Sequence, residues 1–214
     1  MKDIIFATGN AGKMKEIREI LKDMPIVVLS MKDAGIDADV EENGTTFEEN
    51  ALIKASGIME WCQANGVPGC PGKCADDFIV LADDSGLEID YLNKEPGIYS
   101  ARYMGHGTSY REKNANLISR LDGVAKEDRT ARFVCAIAAA FPNGESQVVR
   151  GTIEGYIGWE ECGENGFGYD PIFYLYENDL STAQLSPEEK NEISHRGRAL
   201  RKMKEILLNS SKFC

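Results

Sequence analysis

The sequence predicts an α/β fold built on a mixed sheet. Short apolar runs alternate with segments of helical periodicity, and two long runs rich in Val, Ile and Ala lie next to one another with only a turn between them. A cleanly doubly wound sheet would place a helix between successive strands, so this hairpin points to a mixed arrangement. The chain has 214 residues and no Pro/Ser-rich linker, low-complexity run or fixed-period repeat. It is read as a single domain over residues 1–214, long enough to bury roughly 70% of its unfolded surface without staples.

Taken in order, Ile4–Ala7 is a buried strand that ends in a glycine-bearing turn. Met14, Ile17, Ile20 and Leu21 recur at helical spacing and predict a helix from about Lys13 to Lys22. Ile26–Leu29 is a second strand. Thr46, with Glu49 three residues on, predicts the cap of a helix whose stripe is Phe47, Ala51, Ala55, Ile58 and Trp61. Phe78–Ala82 is an apolar strand expected to end abruptly at Asp83-Asp84-Ser85-Gly86, with Leu87–Leu92 as its partner. Thr108 is expected to cap a helix running to about Leu121. Ala131–Phe141 and Gln147–Ile157 form the hairpin around Pro142-Asn143-Gly144, and Pro171–Leu175 is a short strand. Ser186-Pro187-Glu188-Glu189 starts the last helical region, whose apolar face is Ala199, Leu200, Met203, Ile206 and Leu207.

Composition narrows the function. No apolar run approaches the ~20 residues that span a bilayer, and the first residues lack a signal peptide's length and cleavage site, so the protein is read as cytoplasmic. A net charge of −11 repels nucleic acid. A protein of this charge that handles a polyanion must gather cations in one pocket or recruit a metal. Of the six cysteines, Cys62, Cys70 and Cys74 lie near Gly69, Pro71 and Gly72. Their single Cys-x3-Cys spacing, without histidine, favours free thiols over a zinc site or a disulfide. Cys135, Cys162 and Cys214 read as structural or terminal.

Four segments place polar residues where strands or helices end. Thr8-Gly9-Asn10-Ala11-Gly12-Lys13 lets backbone approach a ligand and offers helix-start amides to phosphate. It is not a P-loop, because its glycines are too close and Met14 follows the lysine; a plain strand-to-helix turn reads equally well. Asp83 and Asp84 point to opposite sides of a strand, so at most one faces a pocket. Carboxylates there suit Mg²⁺, which takes one or two and keeps its waters, although an Asx turn in solvent fits as well. Glu41 and Glu42 add a second acidic pair, which in isolation reads more readily as a solvated loop. Gly163 to Pro171, with Phe167 and Tyr169, could stack a base beside Asp170, although an ordinary glycine-rich turn with anchoring aromatics fits as well. Lys190 and His195 would diverge by about 140° on one continuous helix. A break at Ser194 lets them converge and sets His195 and Arg196 in the first turn of the last helix. Cations are disfavoured there unless an anion binds.

Together these residues resemble the inosine/xanthosine triphosphate pyrophosphatase family. The matching segments are Thr8-Gly9-Asn10 with Lys13, Thr46-Phe47 through Glu49-Asn50-Ala51 with Lys54, and Ala82 to Leu87. They continue with Pro96 to Tyr103, Phe167 to Pro171, and Ser194-His195-Arg196, in the family's order and across nearly the whole chain. The stretch from about Gly66 to Asp77 departs from the family in being longer. The resemblance implies an elongated mixed sheet flanked by helices, two lobes with a substrate cleft between them, and a homodimer. It implies hydrolysis of ITP, dITP and XTP to monophosphate and pyrophosphate with Mg²⁺. Under it, Thr8 to Lys13 would cradle the triphosphate and Lys54 and Lys190 would neutralise it. Asp84 would be general base and metal ligand, helped by Glu41 or Glu42, with spacing favouring Glu41. Ser85 would touch substrate, Phe167, Gly168, Tyr169 and Asp170 would hold the nucleoside, and His195 and Arg196 would read the base. Two alternatives are a housecleaning pyrophosphatase for other modified nucleotides and a catalytically silent nucleotide sensor.

Overall fold

A computed structural model describes residues 2–209 of the chain; Cys214 lies outside the described residues. The elements in chain order are β1 (Asp3–Phe6), α1 (Ala11–Leu21), β2 (Val28–Ser30), α2 (Phe47–Asn65), β3 (Phe78–Ile89) and α3 (Tyr110–Arg120). They continue with β4 (Thr130–Ala140), β5 (Ser146–Ile157), β6 (Phe173–Tyr174), α4 (Pro187–Ile193) and α5 (His195–Asn209). The strands form one six-stranded sheet in the order β2-β1-β3-β4-β5-β6. β1 runs parallel to both β2 and β3, whereas β5 and β6 are antiparallel, so the sheet is mixed.

The chain divides into two compact units. Among the described residues the first comprises 2–84, 135–150 and 197–209. One of its cores gathers Ile4 and Phe6 of β1, Ile79 and Leu81 of β3, and Cys135, Ile137 and Ala139 of β4. On these lie Met14, Ile17 and Leu21 of α1 and Ala199, Leu200, Met203 and Leu207 of α5. The strand residues are two apart because alternate side chains share a face, and the helix residues are three or four apart because that spacing makes a stripe. The second unit comprises Ser85–Val134 and Gly151–Arg196. Leu87, Ile89, Leu117, Leu121, Phe133, Ile153, Ile157 and Phe173 are buried in its core. Arg129 is buried there too, donating to the carbonyls of Leu121, Ile157 and Gly158.

Four boundaries differ from the sequence reading. β3 does not end at Ala82 but runs on to Ile89, so Leu87–Ile89 continues the strand instead of pairing with it. The acids need no turn because each finds a partner on another element, Asp83 on Lys13 and Asp84 on Asn50. The third helix is capped by Ser109, not Thr108: Ser109 and Glu112 form a reciprocal capping box, while the Thr108 hydroxyl donates to the Met104 carbonyl. The first helix starts at Ala11, since Asn10 caps it by accepting from the Lys13 amide. Pro171 and Ile172 belong to a 3₁₀ turn over Asp170–Ile172, leaving only Phe173–Tyr174 as strand. The expected break at Ser194 is present: its backbone is extended between α4 and α5.

Candidate active site

In the first unit, α2 and β3 carry candidate site residues. Thr46 caps α2 by accepting from the Glu49 amide, worth about 1 kcal/mol. Asn50, Lys54 and Ile58 then follow at four-residue spacing and share one face. Lys54 pairs with Glu42 at 2.7 Å and approaches the Asp83 carbonyl at 3.4 Å. Asn50, which is buried, donates to the Asp84 carboxylate at 3.1 Å. The strand's alternation separates the two aspartates. Asp83 is fully buried and meets both its carboxylate oxygens to Lys13, at 3.1 and 2.9 Å. Asp84 is half-buried. Burial pushes its carboxyl up to about 6, with the nearby Glu42 charge adding to the rise while the Asn50 hydrogen bond, Lys54 and Lys13 oppose it.

A cavity of about 510 Å³ adjoins these residues. Thr8, Gly9, Lys32, Asp37, Asp39, Glu42 and Lys54 line it, over apolar ground supplied by Met31, Ile36, Val40 and Ile58. Gly9 to Gly12 are exposed, and a side chain at Gly9 would meet nothing, so this backbone is open to a ligand. Asn10 is engaged as the α1 cap, and Thr8 accepts from the Asn10 amide at 3.2 Å. Of the acidic pair, Glu42 lines the cavity while Glu41 is exposed. Among the described residues no three His, Cys, Asp or Glu side chains gather as a metal site. Mg²⁺ does not require three, because it retains waters around one or two carboxylates.

The cysteine-bearing stretch serves this wall. The Gly69 amide donates to the Ala34 carbonyl at 2.9 Å, and a Cβ on Gly69 would sit 2.2 Å from the Asp33 carbonyl oxygen. The stretch thus docks, backbone on backbone, onto the loop that leads into Ile36–Val40. Cys62, Cys70 and Cys74 are free thiols.

The second unit holds the other set. Asp170 is buried, accepting from Lys190 at 2.7 Å, from the Phe167 amide at 2.7 Å and from the Thr182 hydroxyl at 2.9 Å. Gly166 permits this: its φ is +75°, and a Cβ there would lie 2.2 Å from the Asp170 carboxylate. The loop so fixed presents the Phe167 ring, 40% exposed, with Lys190 5.1 Å and Arg196 5.8 Å from its centroid. Arg196 donates to the Ser85 hydroxyl at 3.2 Å, and His195 stacks on Phe133 at 4.9 Å. Tyr169 packs edge-on against Tyr110 and donates to the Ser100 carbonyl at 2.7 Å. Asn114 of α3 donates to the Gly168 carbonyl at 3.3 Å. Each lysine expected to cradle or neutralise the triphosphate is paired with a carboxylate in its own unit: Lys13 with Asp83, Lys54 with Glu42, and Lys190 with Asp170.

The model of the Ham1 family matches residues 4–206. The chain belongs to that family. A relative from Clostridium perfringens, named dITP/XTP pyrophosphatase, is 48% identical over 97% of this chain and 98% of its own length. One of the same name from Bacillus subtilis is 44% identical over 97% and 98%. The solved Staphylococcus aureus Ham1 protein superposes with a TM-score of 0.81 at 41% identity, covering 96% of this chain and 98% of that one. The Coxiella burnetii HAM1 protein gives 0.82 at 37%, covering 98% and 100%. The fold is therefore the mixed-sheet α/β fold of Ham1 proteins. Asn50 was visible in the sequence only as part of a motif. A polar residue on the same stripe as Phe47, Ala51, Ala55 and Ile58 is the signal that marks it out, since such a residue must find a buried partner.

Proposed function

We propose that this protein is a Mg²⁺-dependent pyrophosphohydrolase of non-standard purine nucleoside triphosphates. It would cut ITP, dITP and XTP between the α and β phosphates to give the monophosphate and pyrophosphate. The single observation that carries this reading is Asp84: a half-buried carboxyl pushed up to about 6, between Asn50 and the Glu42–Lys54 pair, in a chain 44–48% identical to enzymes named dITP/XTP pyrophosphatase.

The residues fit a hard divalent cation. Asp84 and the Glu41–Glu42 pair offer carboxylate oxygen only, and the Glu42 charge that raises Asp84 is a repulsion a cation would relieve. When bound, Mg²⁺ supplies charge neutralisation at the phosphate oxygens. Phosphoryl chemistry asks the chain mainly for position and charge. The amides of Gly9 to Gly12 would cradle the phosphates, and Lys13 and Lys54 would neutralise them. Because both lysines already hold carboxylates, they are aimed before substrate arrives and lose little freedom on binding it. Asp84, with a proton affinity raised toward neutrality, is suited to orient the attacking water and take its proton. Water oxygen joins phosphorus, the bridging bond breaks, and pyrophosphate leaves. In the second unit, Phe167 would stack on the base, and Arg196 and His195 would donate to the purine's oxygen at position 6. An adenine amino group there would leave those donors mispaired, costing ~1–3 kcal/mol. Lys190 acts through Asp170, which holds the Phe167 loop. We take the working form to be a cytoplasmic homodimer, which sedimentation velocity tests.

The deciding experiment is pyrophosphate release from ITP, dITP, XTP, GTP, ATP and methylated or pyrimidine triphosphates, with Mg²⁺ and with EDTA. Metal-dependent turnover of the first three, with at least ~10-fold lower kcat/KM for ATP and GTP, is expected. Preference for a pyrimidine or methylated nucleotide, or tight ITP binding without pyrophosphate release, would overturn the reading.

A further inference from the structure

We infer that Asn50 is a positioning residue that sets Asp84 and the acidic loop at Glu41–Glu42 relative to one another. This rests on the two-carboxylate reading of the site given above. The Asn50 side chain has two ends and uses both. Its oxygen accepts from the Gly44 amide at 2.8 Å, and its nitrogen donates to the Asp84 carboxylate at 3.1 Å. The first bond fixes which way the amide faces: turned over, it would set its NH₂ against the Gly44 N–H, donor to donor, and its oxygen against a carboxylate. The donor therefore has to point at Asp84. Asn50 is 1% exposed, so water does not compete for either bond.

The arrangement is crowded by design of the loop. A Cβ on Gly44 would lie 2.8 Å from the Asn50 side-chain oxygen and 2.7 Å from the Glu49 Cβ, so the loop backbone comes this close only because residue 44 is glycine. The loop is tied again next door, where Glu49 accepts from both the amide and the hydroxyl of Thr45 at 2.6 and 2.8 Å. Gly44 is two residues from Glu42, whose carboxylate pairs with Lys54 one turn further along α2. Asn50 thus ties the loop that carries one carboxylate to the strand residue that carries the other. It touches neither substrate nor metal; its effect is to hold a carboxylate pair at fixed separation, as outer-shell partners do around metal ligands.

The test uses the full-length protein and the metal alone as well as the reaction. Mn²⁺ affinity is measured by calorimetry, together with kcat and KM for ITP at saturating Mg²⁺ and the melting temperature in EDTA. Asn50→Ala is expected to weaken Mn²⁺ binding and lower kcat by about tenfold or more, with KM for ITP changed less than about threefold. Gly44→Ala, which pushes on the Asn50 oxygen from outside the helix, is expected to give the same split and supplies the answer if Asn50→Ala fails to fold. Asn50→Asp, which keeps the acceptor and loses the donor, should be as impaired as Asn50→Ala. Metal affinity and kcat within twofold of the parent in either folded variant would overturn the inference. So would a fall in kcat matched by an equal rise in KM, which marks a general loss of structure. Failure of the parent protein itself to bind Mn²⁺ or release pyrophosphate would overturn the two-carboxylate reading, and this inference with it.

Discussion

Replacing Asp84 with asparagine should abolish turnover and, without metal, make the protein more stable at neutral pH. Burial holds the folded Asp84 near 6, against 3.8 for the solvated side chain of the unfolded protein. An acid whose folded pKa is raised contributes stability only while protonated. That contribution is complete below pH ~3.8 and is lost as pH rises through about 6. At about 1.4 kcal/mol for each tenfold change in proton affinity, the loss is roughly 3 kcal/mol, or about 2 after allowing for the solvent that still reaches a half-buried group. Asparagine at 84 keeps an acceptor for the Asn50 donor and carries no charge, so it escapes the penalty. In EDTA at pH 7.5 the Asp84→Asn protein should melt roughly 4–8 °C above the parent, for a chain of this size. The gap should close by pH 4, and Mg²⁺ should narrow it at pH 7.5 by stabilising the parent alone. Thermal and urea unfolding between pH 4 and 8 measure all three. Equal melting temperatures at pH 7.5 in EDTA, or a gap that does not depend on pH, would show that Asp84 is not the strained carboxyl described here.

The glycine approaches make sharp predictions in both units. Gly166→Ala forces a side chain into a left-handed backbone and against Asp170, and should cost about 2–3 kcal/mol while raising KM for ITP more than it lowers kcat, as read by urea unfolding and steady-state kinetics. Phe167→Ala removes the exposed ring and should raise KM for ITP about tenfold or more with folding unchanged, since a stacked base is worth ~1–3 kcal/mol; an unaltered KM would assign base stacking elsewhere. Gly69→Ala should lift the cysteine-bearing stretch off the Asp33–Ala34 backbone, costing ~1–3 kcal/mol in urea unfolding. The Cys70→Ser, Cys74→Ser double variant should stay within about 0.5 kcal/mol of the parent in the same measurement.

Much of this protein is written in short-range pattern. Apolar spacing places the strands and helices, because a stripe or an alternation is a property of neighbouring residues. Thr46 and Ser186 announce their helix starts because a cap is satisfied within three residues. The break at Ser194 was legible for the same reason, since serine is a favoured helix cap, and its backbone is indeed extended between α4 and α5. What failed also failed locally. Asp83-Asp84-Ser85-Gly86 looks like a turn, yet it is strand, because Lys13, 70 residues away in the chain, and Asn50 satisfy the acids from other elements.

The sequence alone determined the family and the mixed α/β class, since each is a matter of residue type and order. Tertiary structure decided which charges meet: Lys13 goes to Asp83, Lys54 to Glu42 and Lys190 to Asp170. It also decided that Asp84 is half-buried with its carboxyl pushed up, and that the cysteine-bearing stretch buttresses a wall by backbone contact. Pairing, burial and close approach depend on distances between elements remote in the chain, and no local pattern encodes those.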